Sequence, residues 1–306
     1  MSRPQVVFFG TGPVAAKSLE LLTAWADVEA VITKPKPEHH RGGFPVLETA
    51  DKLGLKVLTV TDKKSLDELM TTEPVTSQVG VLIDFGIIVS QAVIDYFPLG
   101  IVNSHFSLLP EWRGADPITF SLLSGQEKTG VSLMLLVEKM DEGPLLAVGI
   151  QDNIPAMTTP ELTDSLIQLS DALLHAEIPG YNEHTKLISQ EQAAKLLPVD
   201  YPTEPTYSRK LSKEDSQLDF TKPAAQLERE VRAFIDWPKS RTTIGDREIV
   251  ITAAHTISGN GEIGKLWRDG KEFGFYTSDG IFVIDMLKPA GKPAMSAAAF
   301  LAGNKL

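Results

Sequence analysis

Over the first half of the chain, short β-branched and apolar runs alternate with segments of helical patterning. Residues 6–9, 28–33, 56–60, 79–84, 101–105 and 131–137 read as strands, with helix-like segments such as 14–24 and 64–71 between several of them. Strands alternating with helices predict βαβ units and an α/β, Rossmann-like, mostly parallel sheet. The clearest helix runs from 159 to 176. Thr158 or Thr159 can cap it, Pro160 suits its first turn, and Glu161 complements its dipole. Leu162, Leu166, Leu169 and Leu173 then recur at the three- and four-residue spacing of one buried face. From about 181 to 205 the periodicity lapses among Pro198, Pro202 and Pro205, as expected of an interdomain linker. Beyond it, 223–234 reads as one amphipathic helix. The remaining runs are strand-like and punctuated by Gly245-Asp246, Asp269-Gly270 and Asp279-Gly280, which are hairpin-turn pairs. Such strands predict a small antiparallel, OB-like barrel. The expected organisation is a catalytic domain over 1–185, a linker over 186–205 and a β-barrel domain over 206–306.

Composition narrows the class. The 306 residues are 42% apolar and 23% charged, in the range of soluble globular proteins. No apolar stretch approaches the roughly 20 residues that span a bilayer. The chain opens directly on V-V-F-F-G, without the pattern of a secretory leader. It has no cysteine, which excludes disulfides, thiolate nucleophiles and cysteine-ligated metals. A cytoplasmic location without membrane attachment is the expectation. A formal charge of −11 argues against broad nonspecific nucleic-acid binding and leaves room for a local basic face.

Candidate chemistry concentrates in I-V-N-S-H-F-S-L-L-P-E-W-R-G-A-D-P-I at 101–118 and V-E-K-M-D-E-G-P-L-L at 137–146. Side chains of a strand alternate with a period of two, so Asn103 and His105 share one side. Pro110 and Gly114 mark the loop that follows. Asp141 comes after the run 131–137 and is expected at a strand terminus. Open parallel sheets bind ligands at the carboxyl ends of their strands. An amide, an imidazole and a carboxylate there suit polar catalysis, although His105 alone reads equally as a structural histidine and Asp141 as a turn residue before Gly143. Gly10-Thr11-Gly12-Pro13-Val14-Ala15 fits G-x-G-x-x-G/A, but the acidic residue expected after the second strand is missing from V-I-T-K-P at 31–35. A tight strand-to-helix turn bordering a pocket is the simpler reading. Neighbouring His39 and His40 rarely converge on one ion, so they read as a surface loop, and no metal is expected. The carboxylates in L-S-K-E-D at 211–215 read as a solvated turn.

N-S-H followed by S-L-L-P-E-W-R-G-A-D-P-I, and then D-E-G-P-L-L, resembles the formyltransferases that use 10-formyltetrahydrofolate. Y-S-R-K-L-S-K-E-D at 207–215, A-Q-L-E-R at 225–229, R-A-F at 232–234, Trp237-Pro238 and P-A-G-K with A-M-S at 289–296 extend the likeness through the second domain. They are similar to the branch of that family acting on methionyl-tRNA. Sugar-nucleotide formyltransferases share parts of the middle of this set.

The resemblance implies Asn103, His105 and Asp141 as the catalytic set. It places the folate donor against Phe85, Gly86, Ile87, Ser107, Leu108, Leu109, Pro110, Asp141, Glu142, Gly143 and Pro144. It makes initiator methionyl-tRNA the acceptor and 10-formyltetrahydrofolate the donor, with no metal and a monomeric enzyme. Basic candidates for tRNA contact are Arg41, Lys186, Arg209, Lys210 and Lys213. The chain departs from the usual pattern at Asp84, Glu111 and Asp116 and in a short loop over 34–44. The alternative is an amino-sugar-nucleotide formyltransferase using the same donor.

Overall fold

The computed structural model describes residues 3–36, 43–197 and 201–304. The chain divides into two compact units: Met1–Pro117, Thr129–Gln151 and Thr163–Tyr207 form the first, and Ile118–Lys128, Asp152–Leu162 and Ser208–Leu306 the second.

The first half runs β1 (Gln5–Phe9), α1 (Pro13–Trp25), β2 (Asp27–Thr33), α2 (Pro45–Lys52), β3 (Val57–Thr59), α3 (Lys63–Thr72), β4 (Gly80–Leu82), α4 (Gln91–Tyr96) and β5 (Ile101–His105). A two-residue β6 (Arg113–Gly114), α5 (Pro117–Ser124), β7 (Lys128–Leu135), β8 (Leu145–Asp152), α6 (Thr159–Glu177) and α7 (Gln190–Leu196) follow. The sheet order is β3-β2-β1-β4-β5-β7-β8. The first five strands pair in parallel, and β7 runs antiparallel to β5. This is the mostly parallel α/β sheet the alternation predicts. The central strands are apolar on both faces because both are covered, and Val6 through Phe9 are all buried. Phe9 meets the Phe85 ring edge-on at 5.5 Å and joins Ile32, Leu66 and Phe97 in one core cluster.

Helix starts follow their side chains. Asp62 and Ser65 make a capping box at α3, and the Ser90 hydroxyl accepts from the Val93 N–H at α4. At α1 the cap is Gly12 followed by Pro13. A Cβ on Gly12 would come within 1.8 Å of Asp84 Oδ2, so the chain's own carboxylate fills the space beside this helix start. A dinucleotide phosphate would need that space, which agrees with reading the glycine motif as a tight turn.

The described residues of 186–205 do more than tether the two units. Ile188 exchanges backbone hydrogen bonds of 2.7 and 3.1 Å with Leu145, and Ser189 and Gln192 form a capping box at α7. Ala193 and Tyr201 complete a core cluster with Leu108, Leu109 and Met134. Tyr201 donates its hydroxyl to Leu109 O at 2.7 Å, and burial pushes its pKa up to about 12.

Past β9 (Tyr207–Ser208), the second unit contains α8 (Ala224–Ala233), β10 (Arg241–Ile244), β11 (Arg247–Ile257), β12 (Leu266–Asp269), β13 (Glu272–Tyr276), β14 (Ile281–Pro289), β15 (Met295–Ser296) and α9 (Ala297–Gly303). Its antiparallel sheet has the order β10-β11-β14-β13-β12 with β15 beside β14, a barrel-like arrangement. Gly245, Gly270 and Gly280 take φ of 58, 56 and 79°, the left-handed backbone that the three turn pairs predict. Leu227 and Val231 of α8 bury against Phe273, Phe282 and Phe300. This unit also takes in segments from earlier in the chain. Thr159 Oγ1 donates to Ala233 O at 2.6 Å, and Arg232 Nη1 donates to Met157 O at 2.8 Å. A cut at residue 206 would therefore strand polar groups and packing belonging to this unit.

Candidate active site

Asn103 and His105 are both buried on β5, and between them Ser104 points the other way, its Oγ 2.7 Å from Ser170 Oγ of α6. The Asn103 and His105 side chains thus share the sheet face opposite α6. The Asn103 amide makes no hydrogen bond among the described residues, and the residue is 8% exposed, so its donors remain available to a ligand. His105 is held at one nitrogen and faces a carboxylate at the other. Its Nε2–H donates to Trp112 O at 3.0 Å, and its Nδ1 lies 3.7 Å from Asp141 Oδ1. The latter is longer than a direct hydrogen bond, so this nitrogen is left open to an incoming ligand.

Asp141 was expected at the end of a strand. Instead β7 ends at Leu135, and Asp141 occupies the turn before β8 with φ of 53°. The left-handed backbone folds the turn back toward His105. Gly143 makes this possible: a Cβ there would come within 1.8 Å of Leu135 O. The Gly114 N–H donates to Asp141 Oδ2 at 2.7 Å, which leaves Oδ1 facing the imidazole. Trp112, whose carbonyl accepts from His105 Nε2, is also left-handed, with φ of 54°. Residues in this region of backbone space cost free energy and concentrate at functional sites. Their loop is pinned by Thr206, whose Oγ1 accepts from Trp112 N at 2.9 Å and whose carbonyl accepts from Arg113 N at 2.9 Å.

The residues expected to hold the donor divide by accessibility. Phe85, Ser107, Leu108, Leu109 and Pro110 are buried in the scaffold. Ser107 Oγ donates to Glu111 O at 2.5 Å, and Ser132 Oγ bridges Ser107 O and Leu109 N. Ser107 and Leu109 have no exposed surface, and Phe85 and Leu108 are 2 and 4% exposed. Gly86 and Glu142 are exposed, Ile87, Asp141 and Pro144 are half-buried, and Gly143 is buried in its turn. Ile88 and Met140 are each 69% exposed, and Met140 directly precedes Asp141 in its turn.

Of the basic candidates, Lys186, Lys210 and Lys213 are exposed. Arg209 instead donates two bonds of 2.8 and 2.5 Å to Asp215, and its guanidinium lies 5.9 Å from the Phe120 ring centroid. That pairing holds the Asp215 carboxyl well below the usual carboxylate range, with Arg209 the largest cause. Asp215 is thus an ion-pair partner rather than the solvated turn expected. Arg41, with His39 and His40, lies outside the described residues. No helix among the described residues is long and apolar enough to cross a membrane.

The formyl transferase family matches residues 5–181, and the formyl transferase C-terminal domain matches residues 210–305. A methionyl-tRNA formyltransferase of Myxococcus xanthus is 35% identical, over 100% of this chain and 97% of the relative. One from Elusimicrobium minutum is 32% identical over 99% of this chain and 97% of its own. Among solved structures, the N-formyltransferase of Helicobacter canadensis, in complex with folinic acid and dTDP-3-aminofucose, superposes with a TM-score of 0.65 at 17% identity. It covers 93% of this chain and 98% of its own, a likeness of fold.

Proposed function

The chain belongs to the formyl transferase family, and from that premise we propose that it moves the formyl group of 10-formyltetrahydrofolate onto the amino group of methionyl-tRNA, forming N-formylmethionyl-tRNA for translation initiation. Full-length similarity to several methionyl-tRNA formyltransferases supports this acceptor, and the folate-bound fold relative supports the class of donor. The observation that carries the chemistry is the Asn103 amide, unpartnered among the described residues, two positions along β5 from an imidazole flanked by Trp112 O and Asp141.

Attack of the neutral amine on the formyl carbon makes a C–N bond and puts negative charge on the formyl oxygen. In our reading, Asn103 donates to that oxygen as the charge develops, joined by the His105 Nδ1–H when the ring carries both protons. Asp141 complements positive charge on the ring and accepts a proton from the attacking nitrogen through water. Collapse of the tetrahedral carbon breaks its bond to folate N10, which takes up a proton and leaves as tetrahydrofolate. Ile87, Ile88, Val137 and Met140 offer apolar surface for the planar part of the donor, and the turn 141–144 offers backbone groups. Lys186, Lys210 and Lys213 serve as phosphate contacts, with residues 206–306 acting mainly in tRNA positioning. The enzyme works as a monomer in the cytoplasm.

The test is acceptor choice. With 10-formyltetrahydrofolate, kcat/KM for methionyl-tRNA should exceed that for an amino-sugar nucleotide by about two orders of magnitude or more, since a site built around one acceptor rejects others strongly. A reversed preference would replace the tRNA reading with the sugar-nucleotide one.

A further inference from the structure

We propose that Gln190 is a positioning residue whose buried amide holds the Asp141 turn in the conformation that aims its carboxylate at His105. This rests on reading Asn103, His105 and Asp141 as the acyl-transfer site. Gln190 opens α7, in a stretch whose sequence suggested only a linker. Its Nε2 donates to Asp141 O at 2.8 Å and to Gly143 O at 3.1 Å. Its Oε1 accepts from Arg113 Nη2 at 2.7 Å, and Arg113 Nη1 lies 3.3 Å from Glu142 Oε1. The residue after Arg113 is Gly114, whose N–H donates to Asp141 Oδ2. One side chain therefore ties together the two loops that position the Asp141 carboxylate.

The chemistry requires an amide. Two carbonyls need donors and a guanidinium needs an acceptor, and only Asn and Gln carry both functions on one planar group. Asn is a methylene shorter, and α7 is fixed in place by its capping box and by buried Ala193. Without Gln190, the carbonyls of Asp141 and Gly143 lose a donor just where Asp141 sits at φ 53°. The turn can then relax toward an ordinary backbone and carry the carboxylate off its line to His105. Displacements of this kind act on rate more than on ground-state binding.

The discriminating variant is Gln190→Glu in the full chain. It keeps an acceptor for Arg113, now as an ion pair, and turns both donor bonds into contacts between a carboxylate and carbonyls. The expected result is native circular dichroism, KM for methionyl-tRNA within about twofold, and kcat lowered about tenfold or more. The pH profile of kcat should also move, with part of the deficit recovered at low pH, where the protonated carboxyl regains one donor. Gln190→Ala should show the same kcat loss with a lower thermal midpoint. A folded Gln190→Glu enzyme with native kcat and an unshifted profile would overturn the inference. Asp141→Asn measured in parallel separates the two levels: if it too keeps native turnover, the site assignment has failed rather than the role of Gln190.

Discussion

Replacing Asp141 by Asn keeps the outline of the side chain and removes its charge. The oxygen that accepts from Gly114 at 2.7 Å can stay, while the group 3.7 Å from His105 Nδ1 becomes a neutral amide. The two side chains are 11 and 7% exposed, so bulk-water screening does not apply to them. At an effective dielectric of about 20, opposite unit charges at this separation attract by about 4 kcal/mol. The amide dipole keeps a part of that, so roughly 3 kcal/mol of stabilisation of a charged imidazole is lost. At about 1.4 kcal/mol per factor of ten, kcat should fall about a hundredfold or somewhat more. Single-turnover formylation of methionyl-tRNA at saturating donor reads this step without product release. Donor affinity, followed by fluorescence or calorimetry, should change little, because shape and backbone are kept. A single-turnover rate within about threefold of native in a folded variant would refute the electrostatic role. Weakened donor binding at native rate would make Asp141 a folate-binding residue instead.

Asn103→Ala and His105→Ala should each lower kcat by about two orders of magnitude in the same assay, the scale for loss of an oxyanion donor or acid–base group; near-native turnover in both would remove the catalytic assignment. Gly143→Ala places a methyl against Leu135 O and should cost about 1–3 kcal/mol in denaturant unfolding as well as reducing kcat; unchanged values would mean that the turn has slack. Lys210→Ala and Lys213→Ala should weaken tRNA binding and each reduce the slope of log Kd against log salt by about one; an unchanged slope would exclude them as phosphate contacts. Glu29 supplies a pH test of stability. Burial favours its protonated form, but donors from Ser77 and Thr76 outweigh that and hold its pKa below the ordinary 4.5. Its stabilisation is complete above that value and is lost as pH falls through the lower folded-state pKa. Glu29→Gln should therefore lower stability by about 1–3 kcal/mol at pH 7, with the gap narrowing below about pH 4, and a gap independent of pH would contradict this.

Strong periodicity made much of the architecture legible. The strand Ile101–His105 has the bounds its alternation suggests, and Asn103 and His105 share a face because a strand leaves them no other choice. The hairpin turns of the second unit were equally plain, since glycine pairs mark a backbone that few other residues adopt. Weakly patterned elements stayed hidden. In β8, Ala147 and Gly149 dilute the strand signal, and most of its residues are only half-buried. Helix α7 has seven residues between a polar stretch and prolines, too short for periodicity to show, although its Ser189–Gln192 capping pair was there to be read. Gln190 could not be found by any local rule: its role depends on the start of α7 meeting the loops at 112–114 and 141–143, and a glutamine in a polar segment carries no sign of burial. Asp141 was recognised as a candidate, but its left-handed turn depends on Gly143 passing close to Leu135, a tertiary contact.

The most direct test follows the fate of a labelled formyl group. Full-length protein is given 10-formyltetrahydrofolate carrying carbon-13 in the formyl group, together with methionyl-tRNA and an amino-sugar nucleotide in the same vessel. The products are then separated and weighed by mass spectrometry after the ester to tRNA is cleaved. The label should be found on the amino nitrogen of methionine, and it should remain on the donor in the His105→Ala protein. Label released chiefly as formate, or carried chiefly by the sugar, would contradict formyl transfer to methionyl-tRNA as the activity of this site.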